Sequence, residues 1–201
     1  SASRLLASHQ EEYHMLEELL SGLYHRPALI FNSGYHANTG MVSAIAQSAK
    51  TLIVADRLVH ASIIDGMTLS KSPFTRFRHN DLTHLRRILE KEASCYEQVL
   101  VIVESVYSMD GDRADIDGLA EIKRDHPNVL LYVDEAHAFG VEGVHGLGIC
   151  RSSKCYDDID IIVGTFGKAC ASMGAFCAVS APLKDYLVNR SRSLIFSTAL
   201  P

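Results

Sequence analysis

The chain has 201 residues, 47% of them hydrophobic, enough to bury one large core. Its formal net charge is −5, from 24 acidic against 19 basic residues, and no Lys/Arg block is present to grip a phosphate backbone, so nucleic acid is not an expected partner. No apolar run reaches membrane-spanning length, and the five cysteines, odd in number and never spaced C-x-x-C, predict reduced thiols in a cytoplasmic protein, with neither disulfide frame nor zinc site.

In chain order, "SASRLLASHQEEYHMLEELL" reads as an acidic amphipathic helix with no signal-peptide pattern. Strands are predicted at 28–33 ("ALIFNS"), 51–56 ("TLIVAD"), 98–105 ("QVLVIVES"), 129–136 ("VLLYVDEA"), 158–166 ("DIDIIVGTF") and 174–180 ("GAFCAVS"). Helical patterns fill the segments 34–49, 60–70, 81–93, 115–126 and 181–193, with Asp81 and Asp115 as N-caps of two of them. Several strands are apolar at successive positions, as expected where helices cover both faces. The pattern predicts an α/β fold with an open, mostly parallel central sheet. In such sheets ligands gather at the carboxyl ends of the strands. Those ends carry Ser33 and Gly34, Glu104 and Ser108, Asp134 and His137, and Thr165 and Lys168.

Two of these stretches imitate an ATPase. Asp134-Glu135-Ala136-His137 spells the box of DEAH helicases, and "GTFGKA" resembles a phosphate loop. A phosphate loop needs a glycine five residues before its Gly-Lys pair and Ser or Thr after it. Gly167-Lys168 has Ile162 and Ala169 there, and it follows the acidic box where an ATPase places it first. The ATPase reading fails.

The same residues suit another chemistry. Lys168 leaves an apolar strand among small residues with no carboxylate close in sequence, a setting that desolvates an amine and makes it nucleophilic. Read alone, it is more simply a strand-end lysine snorkelling to solvent. Asp134, one strand earlier, is the acid needed to keep the ring nitrogen of pyridoxal phosphate (PLP) protonated. His137, three residues on, could donate a hydrogen bond to the ring's phenolic oxygen, and His60 could lay its imidazole over the ring face. On its own His60 is also an ordinary helix-start histidine making a local hydrogen bond. Ser33-Gly34-Tyr35 joins a strand to a helix, where backbone N–H groups attract an anion, and Thr165 offers a hydroxyl to the same phosphate. Strand-glycine-helix junctions are common, and this one is weak evidence by itself.

Six blocks, "FNSGYHANTG", "DRLVHASIIDG", "ESVYSMDGDRADI", "VDEAHAFGVEGVHGLG", "GTFGKACASMGAF" and "LIFSTALP", resemble the α-oxoamine synthases in order and spacing over essentially the whole chain. Those are PLP enzymes of fold type I. The resemblance implies that Lys168 bonds the cofactor aldehyde and moves protons at Cα. It implies that Asp134 faces the ring nitrogen, that His137 and Ser108 lie near the phenolic oxygen with Glu104 opening the same block, and that His60 stacks on the ring. Gly34 and Tyr35 match the cofactor loop and Thr165 a phosphate ligand. Thr198 matches a residue reaching the neighbouring subunit's phosphate, which implies a homodimer with shared active sites. The implied reaction condenses an amino acid with an acyl thioester and expels CO₂. Residues of the lysine and "FSTALP" blocks lean towards the biotin-pathway member, which joins L-alanine to a pimeloyl thioester on CoA or an acyl carrier. Glycine C-acetyltransferase, 5-aminolevulinate synthase and serine palmitoyltransferase chemistries stay open, as does another fold type I reaction. A silent scaffold subunit is disfavoured by the presence of Lys168, Asp134 and His60 together.

Two departures stand out. Ser1-Ala2-Ser3 replaces a glycine-rich approach, and Ala171 replaces a usual glycine after the lysine. The resemblance also implies that residues 1–201 are the PLP-binding large domain. An N-terminal segment, and a small C-terminal domain whose arginine grips the amino acid's carboxylate, are expected to be absent.

Overall fold

A computed structural model describes residues 11–200. Seven strands, β1 (Ala28–Phe31), β2 (Thr51–Asp56), β3 (Phe74–Phe77), β4 (Gln98–Glu104), β5 (Val129–Asp134), β6 (Ile161–Thr165) and β7 (Ala175–Ala178), form one sheet in the order β1-β7-β6-β5-β4-β2-β3. β7 runs antiparallel to β1 and β6, and every other pairing is parallel. Six strands therefore finish at one edge. β3 was not expected from sequence. It is a four-residue edge strand with Phe74 and Arg76 exposed, so no apolar run marks it.

The described residues form eight α-helices: α1 (Glu11–Tyr24), α2 (Gly34–Ile45), α3 (Ala61–Leu69), α4 (Leu82–Glu92), α5 (Ile116–Arg124), α6 (Gly148–Ser152), α7 (Ala181–Arg190) and α8 (Arg192–Ile195). Alternate strand residues feed two cores. Val99, Val101, Val103, Leu131 and Val133 meet α1, α4 and α5 through Leu20, Leu85, Leu89 and Leu119. Leu100, Ile102, Tyr132, Ile161 and Val163 meet α2, α3 and α7 through Met41, Ile63, Met67 and Leu187. Each fully buried aliphatic or aromatic side chain contributes roughly 1.5–3 kcal/mol, so the strand ends stand on a rigid floor. The expected caps form: Asp81 Oδ1 accepts from His84 N at 2.8 Å and Asp115 Oδ1 from Gly118 N at 2.9 Å.

Close packing of α3 on α2 depends on Gly66. A Cβ there would lie 2.9 Å from Val42 Cβ and 3.1 Å from the Asn38 carbonyl oxygen. Residues 1–10, including Ser1-Ala2-Ser3 and the expected start of the first helix, lie outside the described residues. None of the helices among the described residues is long and apolar enough to cross a membrane.

Candidate active site

The carboxyl ends of β4, β5 and β6, with the starts of α2 and α3, enclose a cleft of about 550 Å³ including its open mouth. Parallel register sets its floor, because Glu104 of β4 pairs directly with Asp134 of β5. Strand alternation turns Asp134 towards α2 and sends the next acid, Glu135, to the opposite core. The cleft is lined by Gly34, Tyr35, His60, Glu104, Asp134, His137, Thr165 and Lys168, eight of the eleven residues singled out from sequence.

Asp134 is buried, and N–H groups hold both of its oxygens. Ala136 N donates to Oδ1 at 2.9 Å, and the Asn38 amide donates to Oδ2 at 2.7 Å. Across the cleft, Lys168 Nζ lies 2.6 Å from His137 Nε2. Lys168 is exposed as a residue, yet its amine leans into the cleft and loses water there. That loss pulls its pKa below the usual lysine value, against the opposing pull of Asp134 and Glu104. Desolvation, then the Lys168 charge, lower the pKa of His137 as well. A neutral imidazole facing an amine is the pairing that holds the lysine by one hydrogen bond.

Glu104 shows the complementary effect. Burial, then the charge of Asp134, push its pKa up to about 8, although the His60 N–H donates to its Oε1 at 2.5 Å. The His60 side chain also accepts from Ser62 N at 3.2 Å as the N-cap of α3, so the helix-start role and the cleft position coexist. Thr165 Oγ1 donates to the Gly174 carbonyl and accepts from Gly167 N, each at 3.2 Å, tying β6 to the lysine turn. A Cβ on Gly34 would stand 3.7 Å from Thr165 Oγ1, so the start of α2 and this hydroxyl flank one space.

Three expected residues stand apart. Ser33 caps α2, its oxygen accepting from His36 N at 3.2 Å. Ser108 is exposed in the turn after β4, away from the cleft lining. Thr198 is exposed too, and its carbonyl accepts from the Asn32 side chain.

An amine, an imidazole and paired acids at the ends of parallel strands have the chemistry to hold a carbonyl-bearing anionic cofactor. Known proteins point the same way. Residues 3–201 match the family described as aminotransferase class I and II. The chain belongs to that family. Its architecture is that of fold type I transferases, and it is similar to α-oxoamine synthases. A Pasteurella multocida protein provisionally named 8-amino-7-oxononanoate synthase is 54% identical over all of this chain and 52% of its own length. A Neisseria meningitidis protein with the same provisional name is 51% identical over 53% of its length. Among solved structures, a Sphingomonas wittichii serine palmitoyltransferase superposes with TM-score 0.93 at 34% identity, covering all of this chain and 50% of that one. Francisella tularensis 8-amino-7-oxononanoate synthase gives 0.83 at 32%, covering 98% of this chain and 56% of that one. A serine palmitoyltransferase with PLP gives 0.92 at 32% identity, covering all of this chain and 50% of that one. The chain spans about half the length of the curated relatives it matches.

In this family core, sequence reading missed Asn38, Ser62 and Ala136, which also line the cleft. Asn38 carried a usable signal, as an amide inside a helix whose inward neighbours are small or apolar. Its partner, Asp134, lies 96 positions away, which no local pattern reveals.

Proposed function

We propose that these residues form the cofactor-binding large domain of a PLP-dependent α-oxoamine synthase. Its reaction is the decarboxylative condensation of an amino acid, here L-alanine, with a pimeloyl thioester to give 8-amino-7-oxononanoate. The Lys168–His137 contact, on the same cleft as the anchored Asp134, carries the reading. The donor set fits PLP: an amine of lowered proton affinity, an acid for the ring nitrogen, and Thr165 beside the start of a 12-residue helix for the phosphate.

When bound, PLP supplies an electron sink for the pair left on Cα. Asp134, fixed by two N–H donors, holds a positive charge at the ring nitrogen. Lys168 Nζ takes the Cα proton, and His137, itself kept neutral, holds that amine in place by one hydrogen bond. Glu104, with its pKa near 8, stays protonated at neutral pH and adds no second negative charge beside Asp134. His60 closes the mouth over the ring face and excludes water from it. Ser108 and Thr198 join the site only when loaded, Thr198 from a partner subunit of a homodimer. The same reading places this work in the cytoplasm.

Identity of 54% across the whole chain favours alanine and pimeloyl chemistry, while the higher TM-scores of serine palmitoyltransferases keep serine as a second donor. Two measurements on the full-length protein test this. Borohydride reduction with PLP, followed by peptide mapping, places a pyridoxyl group on Lys168. Thiol release from pimeloyl-CoA then runs faster with alanine than with serine or glycine. No label on Lys168 removes the PLP reading, and release driven by serine moves the chain to the palmitoyltransferase branch.

A further inference from the structure

Behind the reacting groups runs a polar network of Asn38, Ser62 and Tyr132, to which the chemistry above gives no role beyond one N–H donor on Asp134. Asn38 sits mid-helix in α2 at 2% exposure, beside the buried Ala37, Met41 and Val42. Its amide makes three hydrogen bonds. Nδ2 donates to Asp134 Oδ2 at 2.7 Å and to Ser62 Oγ at 3.0 Å, while Oδ1 accepts from the Tyr132 hydroxyl at 2.6 Å. The three partners fix the sense of the amide. Turned over, it would set oxygen against oxygen at Asp134 and leave the buried Tyr132 hydroxyl without an acceptor, and unmet buried polar groups are expensive. Ser62 Oγ in turn lies 2.8 Å from His60 Nδ1. One buried amide is thus bonded to the acid on the cleft floor and, through a single hydroxyl, to the imidazole at its mouth.

We propose that Asn38 is a positioning residue that aims Asp134 and His60 at the same bound ring, with Tyr132 locking its orientation. The inference rests on the reading of the cleft as a PLP site. Asp134 has one N–H donor on each oxygen, and Asn38 is the one attached to a side chain. Removing it frees one oxygen to rotate and releases the Ser62 anchor on His60. A group that only filled space beneath α2 would be replaced without loss by an apolar side chain of similar size, and that difference makes the proposal testable.

The experiment uses the full-length protein and three variants, Asn38→Leu, Tyr132→Phe and Ser62→Ala. Borohydride trapping of PLP on wild-type Lys168 comes first. If wild type traps nothing, the reading of the cleft fails and takes this inference with it. With trapping established, three quantities are measured: PLP affinity of the stripped protein, the pH profile of the bound cofactor's visible band, and the His60 ring signals in cofactor-free protein by NMR. Asn38→Leu is expected to weaken PLP binding by roughly tenfold to a hundredfold, the loss of a charge-assisted hydrogen bond. It also moves the midpoint of the visible band and shifts the His60 signals. Tyr132→Phe moves the same quantities less, and Ser62→Ala shifts His60 while leaving the band midpoint in place. A folded Asn38→Leu protein with altered melting but unchanged affinity, midpoint and His60 signals overturns the proposal. Where Asn38→Leu does not fold, Tyr132→Phe decides, and wild-type values for all three quantities in that variant overturn it equally.

Discussion

Two polar clusters stand at the same edge of the sheet, and their charges behave in opposite ways. In the cleft, Lys168 and His137 have lowered proton affinities and Glu104 a raised one, so all three are pushed towards their neutral forms. At the end of β2, the half-buried His79 is gripped between two acids, with Nδ1 2.9 Å from Asp56 Oδ1 and Nε2 2.7 Å from Asp112 Oδ2. Desolvation pulls its pKa down, but the hydrogen bonds and charges of Asp56 and Asp112 outweigh that and raise it. Asn80 donates from its backbone to Asp56 Oδ2 and from its side chain to Asp112 Oδ2, and Tyr107 packs edge-on against the His79 ring at 4.5 Å. One cluster leaves its groups short of charge partners, ready for a ligand to supply them. The other pairs its imidazole with an acid at each nitrogen and holds β2, β3 and the 107–112 loop together, although Asp112 Oδ1 has no hydrogen-bond partner among the described residues. Displaced proton affinity marks function where it runs towards neutrality in an open cleft, and architecture where it runs towards the charged, paired form.

Lys168→Ala puts the largest strain on that contrast. Activity of the full-length protein should fall on the order of 10²–10⁴-fold with loss of the proton carrier. Folding stability should move by no more than about 0.5 kcal/mol, since the amine contributes little to the fold. A marked loss of stability with activity retained would reverse the roles of the two clusters. His79→Gln is the mirror experiment. It strips the buried Asp56 of its cationic partner, so denaturant unfolding should show a loss of about 3 kcal/mol with the Lys168 trapping reaction intact. The pH dependence has a definite sign. Folding raises the His79 pKa, so its contribution is complete below 6.5 and fades as pH climbs through the folded value. The gap between wild type and variant should narrow accordingly in alkaline solution.

The contrast also explains which parts were legible beforehand. Uninterrupted apolar runs exposed six strands, and the chemistry clustered at their ends exposed Gly34, Glu104, Asp134, His137, Thr165 and Lys168, with His60 found at a helix start. β3 escaped because an edge strand needs only Phe77 buried and can place Arg76 in solvent. The reversal of β7 went unread, although residues 166–174 are too few for a helical crossover. Asn38, Ser62 and Tyr132, and the His79 clamp, bond across 23 to 96 positions, and local pattern is silent at that range.

Glu135 sharpens the comparison from the opposite core. It neighbours Asp134 but points into the opposite core. There Oε1 accepts from Ile149 N at 2.8 Å and Cys150 N at 3.1 Å, and Oε2 has no hydrogen-bond partner among the described residues. Burial raises its pKa from 4.5 to about 7. Its contribution to stability is therefore complete below pH 4.5 and is lost as pH rises through about 7. Glu135→Gln should match wild type in acid and exceed it at pH 8 by about 3 kcal/mol, as read by urea midpoints across pH. Parallel curves for the two proteins would mean that the acid is ionised in the native core.

The smallest effect belongs to the lysine turn. Ala171 N donates to the Lys168 carbonyl at 3.0 Å, and Ala171 sits at φ +47°, a left-handed conformation that its Cβ disfavours. That conformation costs an alanine about 1–2 kcal/mol, while glycine there gives back part of the gain through greater freedom in the unfolded chain. Ala171→Gly should therefore stabilise the fold by roughly 0.5–1 kcal/mol. The lysine turn beside the cleft would then store strain in an alanine, whereas the left-handed residue of the His79 clamp, Asn80 at φ +52°, is of a type that tolerates that conformation. An unfolding midpoint that stays put or drops would show that the turn holds Ala171 without strain, and the cleft would differ from the His79 clamp in its charges alone.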